Sequence, residues 1–261
     1  MPSTASAVKM SCFVAALVLA AWASAWPAWA EEGTAAPQPK RVVIVTGEDI
    51  HNWRATGPVL KAQLEKDSRL KVDLVEDTKF LASPELLKYD AVVLHFRNAN
   101  PAVPGPEAQK NLERFVREGG GLVVVHFACG AFLEWPDFVK IAGRVWNPKF
   151  RAHDPHGKFR VDIVDQQHPI TRGMSAFDTT DELYTCLDGA TPITLLATAV
   201  SKVDQKTYPM AFVLQYGKGR VFHCALGHDV AALSTPQVAA LYRRATAWTV
   251  GLEPAADDVG K

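Results

Sequence analysis

Unbroken apolar blocks alternate with amphipathic stretches along the first half of the chain. Arg41-Val42-Val43-Ile44-Val45-Thr46-Gly47, Ala91-Val92-Val93-Leu94-His95 and Leu122 to His126 are short apolar runs without polar alternation, the pattern of strands buried on both faces. Leu70 to Val75 alternates Leu70, Val72 and Leu74 with charge and predicts a further strand. Between these blocks, Ala55 to Lys66 sets Val59, Leu60 and Leu64 on one helical side. Pro106 to Glu118 does the same with Leu112, Phe115 and Val116, begins on a proline and stops at Gly119. Such strand–helix alternation predicts a parallel sheet covered by helices.

The second half is richer in strands. Phe159 to Val164, Ile193 to Val200, Met210 to Tyr216 and Arg220 to Leu226 are strand-like, with a short helix near Asp137 to Ile141 among them. Gly217-Lys218-Gly219 can turn tightly and pair the last two strands as an antiparallel hairpin. A closing helix is predicted from Pro236 to Val250, with Thr235 at its N-cap and Gly251 as its stop.

With 261 residues and 48% hydrophobic composition, the chain has material for one α/β domain with a sizeable core. Its formal net charge is zero, so no basic surplus calls for nucleic acid or an anionic membrane. Residues 1–30 read as a signal peptide. Lys9 gives a positive start, Cys12 to Ala25 is an apolar run short for a membrane span, and Ala28-Trp29-Ala30 matches a small-x-small cleavage site. Residues 31–40 read as a flexible leader and 253–261 as a disordered tail, which leaves 41–252 as the folded domain. The expected location is periplasmic or secreted. Without the first thirty residues three cysteines remain, Cys129, Cys186 and Cys224. One disulfide with a free thiol and three buried thiols are both open. No C-x-x-C occurs, which argues against thiol-redox chemistry and a zinc ribbon.

Histidines at strand ends carry the candidate chemistry, because the carboxyl ends of strands line the crevice of an open α/β sheet. Gly119-Gly120-Gly121 leads one strand to His126, and a second buried run ends at Gly227-His228-Asp229. The loop after the first strand carries Glu48, Asp49, His51 and Trp53 but no G-x-G-x-x-G, so no nucleotide cofactor is expected. Asp49 or Asn52 can also cap the next helix. Asp181-Glu182-Leu183-Tyr184 sets paired acids beside a phenol; carboxylates near imidazoles orient them, raise their pKa or complete a metal shell. His153-Asp154-Pro155-His156 has a spacing that can bring two nitrogens to one metal. Trp53, Trp135, Trp146 and Tyr184 can wall a sugar ring or fill the core. Cys129 and His168 read as structural.

In this order the pieces resemble the trehalose-utilisation (ThuA-like) family of the class I glutamine amidotransferase-like superfamily. The matching pieces begin with Thr46-Gly47 followed by His51, Gly119-Gly120-Gly121 leading to His126, and Ala142-Gly143-Arg144. His168-Pro169-Ile170-Thr171-Arg172-Gly173, Asp181-Glu182-Leu183-Tyr184 and Tyr216-Gly217-Lys218-Gly219 through Gly227-His228-Asp229 follow. The resemblance implies a flavodoxin-like, doubly wound, mostly parallel α/β sheet with an antiparallel hairpin near the C-terminus. It also implies a role around carbohydrate, including oxidised disaccharides or keto-sugars, and a metal has been associated with the family fold. True amidotransferases place a nucleophilic Cys at the elbow after the central strand. His126 stands there in this chain, so a thioester glutaminase mechanism lacks its nucleophile.

The expectation is therefore an exported carbohydrate-processing hydrolase, lyase or isomerase. Its catalytic groups would be His126, His228 and Glu182. Its substrate contacts would be His51, Trp53, Tyr184, Asp229 and Arg144. His126, His153 and His228 are the candidate ligands of a divalent metal, with zinc favoured. A non-catalytic sugar-binding or complex-forming protein is the competing reading. The expected partner is a small carbohydrate, with no nucleic acid and no stable membrane insertion; a homo-oligomer stays open.

Overall fold

A computed structural model describes residues 1–3, 38–47, 51–97 and 103–256. By its contacts the chain divides into Met1–Pro37 and Gln38–Lys261, and every element described below lies in the second unit. The signal-peptide reading of residues 1–30 and the leader reading of 31–40 fall almost wholly outside the described residues, as do Glu48, Asp49 and the end of the tail.

In chain order the elements are β1 (Lys40–Val45), α1 (Trp53–Leu64), β2 (Leu70–Val75), β3 (Ala91–Leu94), α2 (Pro106–Glu118) and β4 (Gly121–Val125). Then come α3 (Phe138–Ala142), β5 (Val145–Trp146), β6 (Gly157–Ile163), β7 (Phe177–Asp181) and β8 (Leu187–Asp188). The series closes with β9 (Thr194–Val200), β10 (Thr207–Tyr216), β11 (Gly219–Cys224), α4 (Val230–Ser234) and α5 (Pro236–Thr249). Nine strands make one sheet in the order β2-β1-β3-β4-β11-β10-β9-β6-β7. From β2 to β11 the neighbours run parallel, and from β11 to β7 they run antiparallel. The doubly wound α/β expectation holds, but the antiparallel part extends well beyond the β10–β11 hairpin. Three reversals beyond that hairpin return β7 to the direction of β11. Its carboxyl end therefore joins those of β1, β3, β4 and β11 at one edge of the sheet.

The apolar blocks explain the layering. In β1, Val42 and Ile44 join one core with Leu60 and Leu64 of α1 and Leu241 and Tyr242 of α5. Val43 and Val45 face the other way, into a core with Leu112 and Phe115 of α2 and Phe138 and Ile141 of α3. β3 and β4 divide in the same manner. Each large apolar side chain so buried contributes roughly 1.5–3 kcal/mol, which makes these strands the stable frame for what their ends carry.

Several boundaries differ from the sequence pattern for local reasons. α1 starts at Trp53 rather than Ala55 because the Asn52 carbonyl already accepts from the Ala55 and Thr56 amides, while the Asn52 side chain caps nothing. Thr235 does precede α5, yet its side chain makes no capping bond; its hydroxyl lies 3.3 Å from that of Thr179. β7 reads as polar in the sequence, but Phe177, Thr179 and Asp181 alternate inward and are all buried. Cys129, Cys186 and Cys224 are three buried free thiols. Among the described residues no helix is long and apolar enough to cross a membrane.

The hairpin between β10 and β11 tolerates no side chain at its exit. A Cβ on Gly219 would lie 2.2 Å from the Val116 carbonyl oxygen and 2.7 Å from that of Gly120. Gly219→Ala should therefore cost about 2 kcal/mol or more. Urea unfolding checks this as a lower midpoint with an unchanged slope.

Candidate active site

β4 ends at Val125, and the chain turns at once into a 3₁₀ turn, His126–Gly130. His126 has φ of 43°, a left-handed conformation that costs a non-glycine residue roughly 1–2 kcal/mol. That turn carries its ring into the protein, where the residue is fully buried. Nδ1 lies 2.7 Å from the carbonyl oxygen of Ala225. A carbonyl only accepts, so in the neutral ring Nδ1 holds the proton and Nε2 presents its lone pair. Nε2 is buried without a hydrogen-bond partner and stands 3.5 Å from Oε2 of Glu182.

Glu182 immediately follows β7. Its Oε2 also faces Nδ1 of His228 at 3.1 Å, and its Oε1 faces Nε2 of His153 at 3.5 Å. His228 Nδ1 is likewise buried and lacks a partner in hydrogen-bond geometry. His51, from the loop after β1, stacks on Phe127 with centroids 4.0 Å apart and planes 9° apart. It meets the rings of His126 and His228 edge-on at 5.8 and 5.5 Å. One donor atom each from His51, His126, Glu182 and His228 falls within 4.8 Å of all the others.

Asp181 holds this cluster together from below. Its Oδ1 accepts from the backbone N–H of Glu182 at 2.8 Å and of His228 at 3.2 Å, and its Oδ2 from that of Gly227 at 2.7 Å. One fully buried carboxylate thus pins the loop after β7 to the loop after β11. Burial pushes the pKa of Asp181 up, against the lowering effect of His126 and the three amides. Burial also acts to raise Glu182, but the facing His126 and His228 reverse this and hold its carboxyl well below the usual range. The same carboxylate raises the pKa of His228, outweighing its partial burial.

The remaining sequence candidates divide. Tyr184 is buried, with its ring 4.3 Å from His126 and 5.9 Å from His153, so it forms a wall of the cluster. His153 lies outside the four-donor set, on the far oxygen of Glu182, and its Nδ1 lies 2.7 Å from the Asp154 carbonyl oxygen. Asp229 caps α4 through Oδ1, and its Oδ2 faces His156 Nε2 at the exposed rim, 3.4 Å away. Arg144 donates to the carbonyl oxygens of Gly143 and Thr191, a structural tie away from the imidazoles. Trp53 is buried under the Arg54 guanidinium, and Trp135 packs between Phe132 and Phe138. Cys129 is fully buried, and burial pushes its thiol well above the ordinary value.

Two further histidines belong to the frame. The hydroxyls of Thr46 and Thr56 lie 3.1 and 3.2 Å from the two ring nitrogens of His95, and burial lowers its pKa to about 3. His223 lies with Nδ1 3.0 Å from the Ala142 carbonyl oxygen, and burial lowers it to about 4. Asp181 was visible in the sequence only as half of an acidic pair. The inward alternation Phe177, Thr179, Asp181 is the signal that marks it as buried.

The fold and site define a doubly wound α/β protein with a half-buried cluster of imidazoles around one carboxylate. The chain matches the ThuA family, described as trehalose utilisation, over residues 41–249, and it belongs to that family. Membership points to a role in sugar utilisation. Among solved structures, a ThuA-like protein from Parabacteroides merdae is 24% identical, with 84% of this chain and 93% of that one covered and a TM-score of 0.74. A ThuA-like protein from Bacteroides uniformis is 17% identical, with 87% and 98% covered and a TM-score of 0.67. A β-galactosidase from Bacillus circulans is 16% identical over 84% of this chain and 32% of its own, with a TM-score of 0.54. At these identities the likenesses establish the fold. No curated protein matches the chain.

Two outcomes follow for stability. His95 and His223 have folded pKa values below the ordinary 6.5, so on acidification the unfolded chain takes up their protons first. Their contribution is complete above about pH 6.5 and is lost as pH falls through about 4 for His223 and about 3 for His95, on the order of several kcal/mol. Melting temperature measured across that window should fall steadily. Asp181→Asn sets an amide against backbone donors and should cost about 1–3 kcal/mol in the same assay.

Proposed function

We propose that the protein is an exported carbohydrate-processing enzyme, a hydrolase, lyase or isomerase. It acts on a sugar or keto-sugar at the cluster of His51, His126, Glu182 and His228. One observation carries this reading: Nε2 of His126 and Nδ1 of His228 are buried, unpartnered and aimed at the same carboxylate oxygen. The shared carboxylate is what sets these two apart, since Nε2 of the frame residue His223 is also buried without a partner, while both nitrogens of His95 meet threonine hydroxyls. Lone pairs that converge on a carboxylate call for positive charge between them, either a proton or a cation. The family's description, trehalose utilisation, supports a sugar as the ligand class.

The donor set fits a divalent transition metal. Three imidazoles and a carboxylate suit zinc best, and their donor atoms span little more than one shell of bonds about 2 Å long. Such an ion, when bound, polarises a sugar carbonyl or acidifies a water. The chain's own residues do the rest. Ala225 fixes the tautomer that turns the His126 lone pair inward. Asp181 sets the backbone that aims Glu182 and His228. His153 orients the second oxygen of Glu182. With no ion bound, Glu182 favours the protonated form of His228, which can then deliver its proton to a leaving oxygen. Glutamine hydrolysis has no support, since the elbow carries His126 and the nearby Cys129 is a buried, protonated thiol.

Elemental analysis of the zinc-replete protein should find about one metal per chain, and His126→Ala or His228→Ala should remove it. A metal-free wild type would take the ion out of the proposal. Glu182→Gln should cut turnover of a keto-sugar by about 100-fold or more while the circular-dichroism spectrum is retained. Unchanged turnover would move the chemistry elsewhere. Sugar binding without turnover in the wild type would favour a binding protein.

A further inference from the structure

We infer that Arg97 reads a carboxylate on the ligand, so that the site takes a sugar acid in preference to a neutral sugar. The inference rests on the proposed sugar site and adds the chemical class of its ligand. Arg97 lies three residues past the end of β3, which neighbours β4. β3 and β4 are paired as far as Leu94 and Val124, so Arg97 and His126 leave the sheet beyond neighbouring strand ends. The residue is half-buried. Its guanidinium carbon stands 5.0 Å from the centroid of the Trp146 ring. Trp146 meets Tyr184 edge-on at 5.7 Å, and Tyr184 packs on His126 at 4.3 Å. Arg97 is thus the outer member of a row of side chains that begins at the buried imidazole.

Gly130 makes room for it. A Cβ there would come within 3.3 Å of Arg97 Cγ and 3.5 Å of Nε, so the arginine stem crosses the turn that carries His126 at close range.

The charge balance points to an anion. Arg69, Arg117, Arg151 and Arg160 each face a carboxylate. Arg97 faces none among the described residues, and its guanidinium lies over the indole ring of Trp146. The two carboxylates of the cluster are already engaged, Asp181 by backbone amides and Glu182 by imidazoles. A half-buried arginine with neither a carboxylate nor a carbonyl acceptor among the described residues, unlike Arg144 with its two carbonyls, is unfavourable unless a ligand supplies one. The indole face attracts the guanidinium, whose paired N–H donors form a planar fork. That fork matches the two oxygens of one carboxylate.

Ligand-observed NMR titration of the purified full chain tests this with D-glucuronate and D-glucose, which share a ring and differ in bearing a carboxylate or a hydroxymethyl group. Glucuronate should bind at least about tenfold more tightly. Arg97→Gln should abolish that difference and leave glucose affinity within about twofold. Arg97→Lys keeps the charge without the fork and should restore only part of the preference. Equal affinity for the two sugars would overturn the inference and leave the sugar site standing. A preference that survives Arg97→Gln would also overturn it. Binding of neither sugar would remove both.

Discussion

The site depends on one buried carboxylate. Asp181 gathers the amides of Glu182, Gly227 and His228, and no neighbouring ladder joins the two segments it ties. β7 and β11 are separated in the sheet by β10, β9 and β6. Hydrogen bonds to an ionised acceptor are about twice as strong as neutral ones, and three of them offset part of the desolvation, which still leaves the Asp181 pKa raised. The cluster's carboxylate and one of its imidazoles therefore come from distant parts of the fold and are fixed by a single side chain.

That arrangement gives the imidazoles different jobs. His95 and His223 are held neutral by burial and belong to the frame. His228 is held toward the charged form by Glu182. His126 is fixed in one tautomer by a backbone carbonyl, with its other nitrogen directed at the same acid. These chemically similar side chains are thus separated by whether they face the Glu182 carboxylate.

Much of this was legible in the sequence. The unbroken runs of β1, β3 and β4 are strands buried on both faces, and their ends do carry His51 beyond β1 and His126 beyond β4. His228 was also readable, because it follows a buried run, whereas Glu182 was singled out only as a carboxylate able to serve imidazoles, without the strand that places it. Less was readable where polar residues face inward. β7 is hidden by Thr179 and Asp181, whose burial depends on partners distant in the chain. Arg144 and Asp229 were polar and close in sequence to the motifs, yet they are used up by carbonyl oxygens and a helix cap. Trp53 shows the reverse, an indole in a functional loop that folds into the core.

β7 also closes the sheet, with a ladder to β6 on one side and, among the described residues, no strand on the other. Edge strands open locally at lower free energy than the centre of a sheet. The segment that positions Glu182 is therefore among the first to detach, while His126 stands on a strand paired on both sides. A ligand or ion that bridges Glu182 to His126 and His228 would clasp the margin of the sheet to its middle. Occupancy and closure of that margin are then one linked equilibrium, and slowed amide exchange along Phe177 to Asp181 is its signature.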